Sequence, residues 1–260
     1  MSSSPTNDPS TARWGDASDA HAMESVSAIV QMIHATRDPL SAIEVLAAST
    51  AALEADVAFF ASFHRGKTTE ESYRLLLACD PAWSTEHRRV GWYMQDPWLN
   101  HARVHSEPIL ASQLELKTDV EREMVEVAAR FGFHSTVIAP ALANAEQLRI
   151  GVLCVGSSTP GHFENHPDPL VKAAVRCVAQ ELHEWWNAAM RDQLIAAASL
   201  SAEDIELLRH ERAGHGTKEI ARVTGWSLAT IDSRFQRLIA RMGVSTRGEA
   251  ARLAAENRLI

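Results

Sequence analysis

The pattern of apolar residues along this chain of 260 residues predicts an α+β protein. In residues 21–190, strand patterns adjoin one another and helical patterns are grouped before and after them, which indicates an α/β/α sandwich with an antiparallel sheet. Four short helical patterns fill residues 200–260, and the second and third are joined by a turn that contains Gly225. This arrangement is typical of a helix-turn-helix, so we predict an all-α, four-helix domain behind a linker at 191–199.

Residues 1–20 are rich in Ser, Thr, Asp and Pro and predict a flexible arm. The elements that follow are predicted from apolar residues at helical or alternating intervals. Two helices lead into two strands, a third helix precedes two more strands, and a long helix ends the domain, while segment 83–94 is partly helical. The predicted bounds are 21–36 and 39–54, then 56–63 and 73–78, then 119–131, 135–142 and 149–155, and finally 168–191.

Capping patterns define the helices of residues 200–260. Ser201–Asp204 and Thr246–Glu249 both have the S/T-x-x-D/E form of a capping box, which marks a helix start. A short helix is predicted at Lys218–Val223, and Ser227 can cap a further helix that runs to about Met242.

This last helix has two unlike faces. Apolar residues at helical spacing predict a buried face of Ile231, Phe235, Leu238 and Met242. The other face carries Arg234, Arg237 and Arg241, which fit contacts with the phosphates or base edges of DNA. A solvated arginine stripe on an ordinary surface helix would have the same pattern.

The net charge divides unevenly along the chain. The whole chain holds 25 Lys and Arg against 33 Asp and Glu, for a net charge of −8. Residues 200–260 hold ten basic and eight acidic residues, which leaves fifteen and twenty-five for residues 1–199. An acidic front part and a mildly basic rear part fit a sensor joined to a DNA-binding module. Because the rear charge is small, we expect double-stranded DNA to be bound by a homodimer.

The sequence lacks the patterns that are typical of membrane proteins, metal sites and enzymes. No apolar run has the length of a membrane span and the N-terminus lacks a signal-peptide pattern, so we expect a cytoplasmic protein with no membrane partner. Cys79, Cys154 and Cys177 lack metal-ligand spacing and are expected to stay reduced. His101 and His105 are spaced like helical metal ligands, but the glutamate of a zinc hydrolase motif is missing. We expect neither an enzyme nor a cofactor, because nucleophile elbows and phosphate-binding loops are also missing.

Residues 200–260 combine many short motifs, namely Leu200-Ser201, Leu208, Gly214, Lys218-Glu219-Ile220-Ala221, Ser227, Thr230-Ile231, Leu238, Met242-Gly243-Val244, Arg247, Glu249-Ala250 and Leu259-Ile260. Together they resemble the C-terminal DNA-binding domain of the LuxR family of bacterial transcription regulators. The resemblance implies DNA contacts by Lys218, Ser227, Thr230, Arg234, Arg237 and Arg241. Two acids depart from the family: Asp204 replaces a Glu, and Asp232 stands where a polar or basic DNA-facing residue is common. Asp232 could repel phosphate or accept a hydrogen bond from cytosine N4.

Trp83 is followed thirteen residues later by the pair Asp96-Pro97. This spacing and the order of helices and strands resemble the ligand-binding domain of quorum-sensing LuxR-type regulators, a sandwich that encloses an N-acyl-homoserine lactone. The resemblance implies that the Trp83 indole donates to the lactone carbonyl and that Asp96 accepts the amide N–H. The residue types suit these roles, because an indole only donates hydrogen bonds and an ionised carboxylate only accepts them. We therefore predict a signal-binding domain at 21–190.

Other pocket positions of that family carry different residues here. Cys79 and His87 replace tyrosines, Ala111 replaces a second tryptophan, and Thr136 replaces a glycine. Cys154 stands in place of the Ser or Thr that binds the amide carbonyl of the ligand. The loss of aromatic side chains predicts an enlarged or reshaped pocket, to which His87 adds an imidazole side chain. The ligand is then either a lactone with an unusual acyl chain or another small molecule that carries an amide.

Two functions are open at this point. The first is a ligand-responsive transcription regulator of quorum sensing, in which a small-molecule signal stabilises a homodimer that reads two half-sites. The second is a ligand-independent relative that regulates by forming a heterodimer with another regulator, with Asp232 weakening its own DNA contact. Trp185 and Trp186 of the long helix fit either a subunit interface or core packing.

Overall fold

A computed structural model describes residues 17–64, 73–141, 149–165 and 168–260, with side chains from Glu24 onward. The strands are β1 (Val57–His64), β2 (Arg74–Ala78), β3 (Ile109–Leu110), β4 (Ser135–Ala141) and β5 (Arg149–Ser157). In the described part of the chain they form a five-stranded antiparallel sheet with the order β2-β1-β5-β4-β3. The predicted antiparallel sheet is confirmed, and the short edge strand β3 is added to it.

The helices surround this sheet and continue beyond it. Their bounds are α1 (Ala17–Ala35), α2 (Pro39–Ala52), α3 (Ala82–Val90), α4 (Pro97–Val104), α5 (Asp119–Arg130), α6 (His162–Asn165), α7 (Pro169–Ala198), α8 (Ala202–Arg212), α9 (Thr217–Thr224), α10 (Leu228–Met242) and α11 (Arg247–Glu256). Short 3₁₀ turns lie at Trp92–Met94 and Ala111–Gln113. Among the described residues, none of these helices is both long and apolar enough to cross a membrane.

The sheet is the middle layer of the predicted α/β/α sandwich. Successive side chains of a strand point to opposite faces, and here both faces are buried. Phe60 and Leu153 face α1, α2 and α7, where they join one apolar cluster. Phe59 and Cys154 face the other way and join Trp98 in a second cluster, to which α3, α4 and α5 contribute. The fold class predicted for this part of the chain is confirmed.

The C-terminal helices form a separate apolar cluster. Ile231, Phe235 and Leu238 of α10 are fully buried in it, as their helical spacing predicts. Ser227 caps α10 by accepting the backbone N–H of Thr230 at 3.1 Å. The turn between α9 and α10 places Gly225 at a φ of 75°, a left-handed conformation that glycine adopts without a Cβ clash. The predicted all-α helix-turn-helix region is thus confirmed as a fold.

Two predicted boundaries differ from the structure. Helix α1 begins at Ala17, so the end of the predicted arm is helical, while residues 1–16 lie outside the described residues. Helix α7 continues to Ala198, so the segment predicted as a linker at 191–199 is helical almost to its end. Leu194 and Ile195 pack against the C-terminal cluster, and this contact stabilises turns of α7 that lie beyond the sheet. Ser199 follows as the C-cap residue, with a left-handed φ of 46°.

The two tryptophans of α7 pack within the chain. Trp185 Nε1 donates a hydrogen bond to the carbonyl oxygen of Thr36 at 3.1 Å. Trp186 is 6% exposed and belongs to the cluster that α1, α2 and α7 share. Of the two interpretations of these tryptophans, the structure favours core packing.

Polar side chains join the C-terminal region to the sandwich. Arg258 lies 2.7 Å from Glu184 and 3.3 Å from the Nε2 atom of His183, both on α7. Glu256, at the end of α11, lies 3.6 Å from His64 of β1 and is 8% exposed. The end of the chain is therefore packed against α7 and the sheet.

Candidate functional site

A cavity of about 670 Å³ lies beside β1 and β2, below α3 and the start of α4. This volume falls within the range of small-molecule sites, roughly 300–1,000 Å³. Its apolar wall is formed by Phe59, Ala61, Leu75, Leu77, Trp83 and Leu99. Its polar wall is formed by Tyr73, Arg74, Ser84, His87, Arg88, Tyr93 and Asp96. The cavity therefore offers an apolar surface and a hydrogen-bonding surface to one ligand.

Asp96 is held at the cavity wall by the start of α4. It is the N-cap residue of that helix, and Pro97 follows at the first helical position, where its missing N–H costs nothing. Its Oδ1 atom accepts the backbone N–H groups of Trp98 at 2.8 Å and Leu99 at 3.1 Å. Its Oδ2 atom lies 2.9 Å from His87 Nε2, and the residue is only 1% exposed.

Helix α3 brings Trp83 and His87 to the same wall. The two residues are four positions apart, one helical turn, and their ring centroids are 5.4 Å from each other. Gly91 ends the helix with a left-handed φ of 78°, and its N–H binds the carbonyl oxygens of His87 and Arg88. This turn directs the chain into the Trp92–Met94 segment and back towards Asp96. The predicted pair Trp83 and Asp96 is thus brought together, with His87 beside it.

Tyr73 and Tyr93 are among the lining residues that were not predicted. Tyr73 donates its hydroxyl hydrogen to the carbonyl oxygen of Tyr93 at 2.8 Å, and Arg103 donates to the Tyr73 hydroxyl. Burial raises the pKa of Tyr73 to about 12, so the hydroxyl stays protonated. The chain contains only two tyrosines, one on each side of α3, and that placement is the sequence signal for this wall.

The other predicted ligand contacts lie away from the cavity wall. Cys154 and Thr136 point to the same face of the sheet but are fully buried, and Thr136 Oγ1 donates to the Phe133 carbonyl at 3.2 Å. Cys79 and Ala111 pack at the edge of the same apolar cluster. Burial raises the pKa of both thiols, to about 12 for Cys79, so they stay protonated.

Three aromatic side chains pack together in the apolar cluster that contains Cys154. The rings of Phe59, Trp98 and Phe133 contact one another, with centroids 5.6 to 6.1 Å apart. Phe59 is paired with Cys154 in the sheet, and Phe59 lines the cavity whereas Cys154 does not. The sequence predicts an enlarged pocket at Cys79 and Ala111, but neither residue lines the cavity.

The family model described as the autoinducer binding domain matches residues 38–185, more than half of the chain. The chain belongs to the autoinducer-binding domain family. Membership places it among quorum-sensing regulators, which are not enzymes. A search of curated protein sequences finds no match.

Solved structures share the fold of this chain at low sequence identity. SdiA of Escherichia coli has a TM-score of 0.69 and 14% identity, covering 92% of this chain and 98% of its own. SdiA in complex with octanoyl-rac-glycerol has a TM-score of 0.67 and 14% identity, covering 90% of this chain and 95% of its own. CepR2 from Burkholderia cenocepacia, described as an N-acylhomoserine lactone dependent LuxR family transcription factor, has a TM-score of 0.55 and 14% identity, covering 65% of this chain and 98% of its own.

Beyond the autoinducer-binding domain, α10 carries basic side chains on its outer face. Arg237 is exposed, and its Nε donates to the Ser233 carbonyl one turn earlier at 3.3 Å. The Arg234 guanidinium lies 4.4 Å from the ring centre of Trp226. Stacking on an indole orders a guanidinium while its in-plane N–H donors stay available. Arg234 and Arg237 therefore both lie on α10 outside the apolar cluster, and their contact with DNA stays a prediction.

Arg241, also predicted to contact DNA, instead forms hydrogen bonds within the chain itself. Its guanidinium donates to Asp204 at 2.6 Å and to the Ser199 carbonyl at 2.6 Å. Burial alone would raise the pKa of Asp204, but hydrogen bonds from Arg241 and the Ser201 backbone lower it below the ordinary value. This pair joins α10 to the start of α8 and to the end of α7, so Arg241 has a structural role.

The remaining predicted DNA contacts are on the surface. Lys218 of α9 is exposed, as are Ser227 and Thr230, whose hydroxyl oxygens lie 2.8 Å apart at the start of α10. Asp232 pairs with Arg247 at 2.7 Å, so the acid that departs from the family pattern has a cationic partner.

Proposed function

We propose that this chain is a transcription regulator of quorum sensing that binds a small-molecule signal in the cavity and double-stranded DNA through α10. The main support for this proposal is the cavity, which Trp83, His87 and Asp96 line within the part of the chain that matches the autoinducer binding domain. The same chain carries a helix-turn-helix with an arginine face, which supplies the response to the signal.

An acyl chain is the common part of the ligands of similar proteins. CepR2 is described as dependent on N-acylhomoserine lactone, and SdiA was solved in complex with octanoyl-rac-glycerol. Each of these ligands joins an apolar chain to a polar head. The cavity has matching parts, with Phe59, Leu77 and Leu99 on its apolar wall and His87 and Asp96 on its polar wall. We infer an acyl-homoserine lactone or a related acyl molecule as the signal.

Helix α10 supports the DNA-binding part of the proposal. Its 15 residues extend over roughly 22 Å, a length that fits the major groove. Arg234 and Arg237 would contact base edges or phosphates, while Lys218, Ser227 and Thr230 would position the helices on the backbone. Because residues 200–260 carry a small positive charge, we propose that a homodimer supplies two such helices to one site.

The alternative is a regulator that binds no ligand and acts by forming heterodimers. This alternative rests on the altered pocket residues and on the expected repulsion between Asp232 and DNA. The structure contains a cavity with Trp83, His87 and Asp96 in its wall, and Asp232 is paired with Arg247. These observations favour the ligand-responsive regulator.

The test is mass spectrometry of the small molecules released from protein expressed with and without acyl-homoserine lactones, followed by DNA binding of the same samples. We expect one stoichiometric small molecule, reduced in Asp96→Ala protein, and tighter DNA binding by the loaded sample. A soluble protein that binds DNA equally well with and without every added molecule would contradict ligand control. A heterodimer that fails to bind DNA would support the alternative.

A further inference from the structure

Asp232 lies at the start of the second turn of α10, and its side chain is 53% exposed. It is the only charged residue among the first six positions of this helix. The N-terminal residues of a recognition helix are the ones that contact base edges in the major groove. An acid at such a position repels the phosphates of DNA, so it needs a compensating charge and a donor on the DNA.

Arg247 of α11 supplies the compensating charge and holds the carboxylate in place. Its guanidinium lies 4.2 Å from the ring centre of the buried Phe235, donates to Thr217 Oγ1 at 3.2 Å and donates to Asp232 Oδ1 at 2.7 Å. Contacts with α9 and α10 thus fix the guanidinium, and the guanidinium fixes the carboxylate. Within the described part of the chain, Asp232 Oδ2 has no hydrogen bond and is available as an acceptor. A side chain that is already ordered loses less entropy when it binds.

The chemistry of a carboxylate selects among the four bases. An ionised carboxylate accepts hydrogen bonds and donates none. In the major groove, guanine presents two acceptors and thymine presents one, so both oppose a carboxylate. Adenine presents an amino donor beside the acceptor N7, whereas cytosine presents its N4 amino group alone. Cytosine is therefore the base whose edge best matches the available oxygen of Asp232.

We propose that Asp232 recognises a cytosine in each DNA half-site by accepting a hydrogen bond from its N4 amino group, and that Arg247 positions Asp232 for this contact. The guanidinium offsets the repulsion between the carboxylate and the phosphates, and it leaves one carboxylate oxygen for the base. This inference rests on the proposed function, since it names the base that the same helix recognises.

Selection from double-stranded DNA with a random segment of about 20 base pairs, roughly two helical turns, provides the test. The full-length protein, expressed with acyl-homoserine lactones, is used for the selection. Fluorescence anisotropy then measures its affinity for the selected sequence and for the single-base variants of that sequence. We expect one position in each half-site where cytosine is preferred about tenfold over the other bases, as for one specific base contact.

Substitutions of Asp232 assign this preference to the carboxylate. Asp232→Asn should change the preferred base at that position to adenine, because an amide side chain pairs with adenine N6 and N7. Asp232→Ala should have no preference there. Glu206→Gln is the matched control, because it removes one negative charge from an exposed side chain of α8 and should leave the cytosine preference unchanged.

An unchanged cytosine preference in both Asp232 variants, or an equal loss in the Glu206 control, would overturn the inference but leave the proposed function intact. Failure of the natural protein to select any DNA sequence would overturn the inference together with the DNA-binding part of the proposed function. Circular dichroism spectra of the variants show whether each is folded.

Substitutions of Arg247 test its positioning role. Arg247→Met should lose most of the cytosine preference at the same position, while base preferences at other positions are retained. Arg247→Lys keeps the charge and should recover part of the preference. A uniform loss of affinity for all DNA variants, with the cytosine preference retained, would show that Arg247 supports the fold or binds phosphate, and would overturn its positioning role.

Discussion

His87 and Asp96 form a pair at the cavity wall, and removing His87 is expected to lower the free energy of unfolding. In His87→Leu protein, the Oδ2 atom of Asp96 loses its partner in a site where the carboxylate is 1% exposed. We expect the free energy of unfolding without ligand to fall by about 1–3 kcal/mol, the range for an unsatisfied buried group. The free oxygen should then accept an amide N–H, so N-octanoyl-homoserine lactone is expected to bind the variant more tightly than the natural protein. Urea denaturation and calorimetry measure the two effects, and a weaker lactone affinity in the variant would contradict the role assigned to His87.

Arg241 and Arg237 are neighbouring arginines of α10 with different surroundings. Arg241 is bound to Asp204 and to the Ser199 carbonyl, whereas Arg237 makes a local bond to Ser233. We expect Arg241→Gln to lower the free energy of unfolding by about 1 kcal/mol, within the range for hydrogen bonds to charged groups at a partly exposed site. Arg237→Gln, the matched variant, should leave the unfolding energy unchanged. Equal unfolding midpoints in urea for the two variants would show that the Arg241 pair does not stabilise the fold.

Helix α10 is the element on which the DNA proposal depends. We expect Arg237→Ala to weaken DNA binding by roughly tenfold, because a side chain that contacts bases or phosphates contributes about 1–3 kcal/mol. The circular dichroism spectrum should not change, since the side chain is exposed. Fluorescence anisotropy with labelled DNA measures the affinity. Arg122→Ala is the control, because this arginine of α5 pairs with Asp119 in the sandwich. Equal affinities of Arg237→Ala and natural protein would exclude this face of α10 as the DNA-binding surface.

Elements that depend on local sequence were predicted well, and those that depend on tertiary contacts were not. The capping pattern at Ser227 and the apolar spacing of α10 are contained within one helix, so the sequence predicts both. Helix α4 was not predicted from the sequence. The end of α7 was misplaced because its last turns are stabilised by the C-terminal cluster. Trp83 and Asp96 were found at the cavity through a spacing, but Tyr73 and Tyr93 come together only in the folded protein. Arg74 and Arg88, which also line the cavity, have no sequence pattern of their own.

The whole molecule contains a buried histidine whose titration opposes folding. His183 of α7 is fully buried, and its Nε2 atom lies 3.3 Å from the Arg258 guanidinium. Burial, with repulsion by Arg258 and Arg149, lowers the pKa of His183 from 6.5 to about 3. Below pH 6.5 the unfolded chain therefore binds a proton that the folded protein does not bind, and stability is lost as the pH falls towards 3.

We expect this histidine to contribute a loss of up to about 1.4 kcal/mol per pH unit within that window. Urea denaturation at several pH values above and below 6.5 measures it, with His183→Gln expected to have a flatter dependence. His105→Gln is the control, because His105 is half exposed and pairs with Glu107 on the surface. Parallel pH profiles for His183→Gln and natural protein would contradict the assignment.

Because α7 is one continuous helix, its length fixes how the C-terminal helices are rotated about its axis relative to the sheet. Its 30 residues extend over about 45 Å, first along the sheet and then into the C-terminal cluster. Each residue added to or removed from the segment 191–197 would turn everything after it by about 100° around the helix axis. Such a change would draw Arg258 away from Glu184 and would aim α10 in a new direction. The length of this segment is therefore under a geometric constraint that its amino-acid composition alone does not reveal.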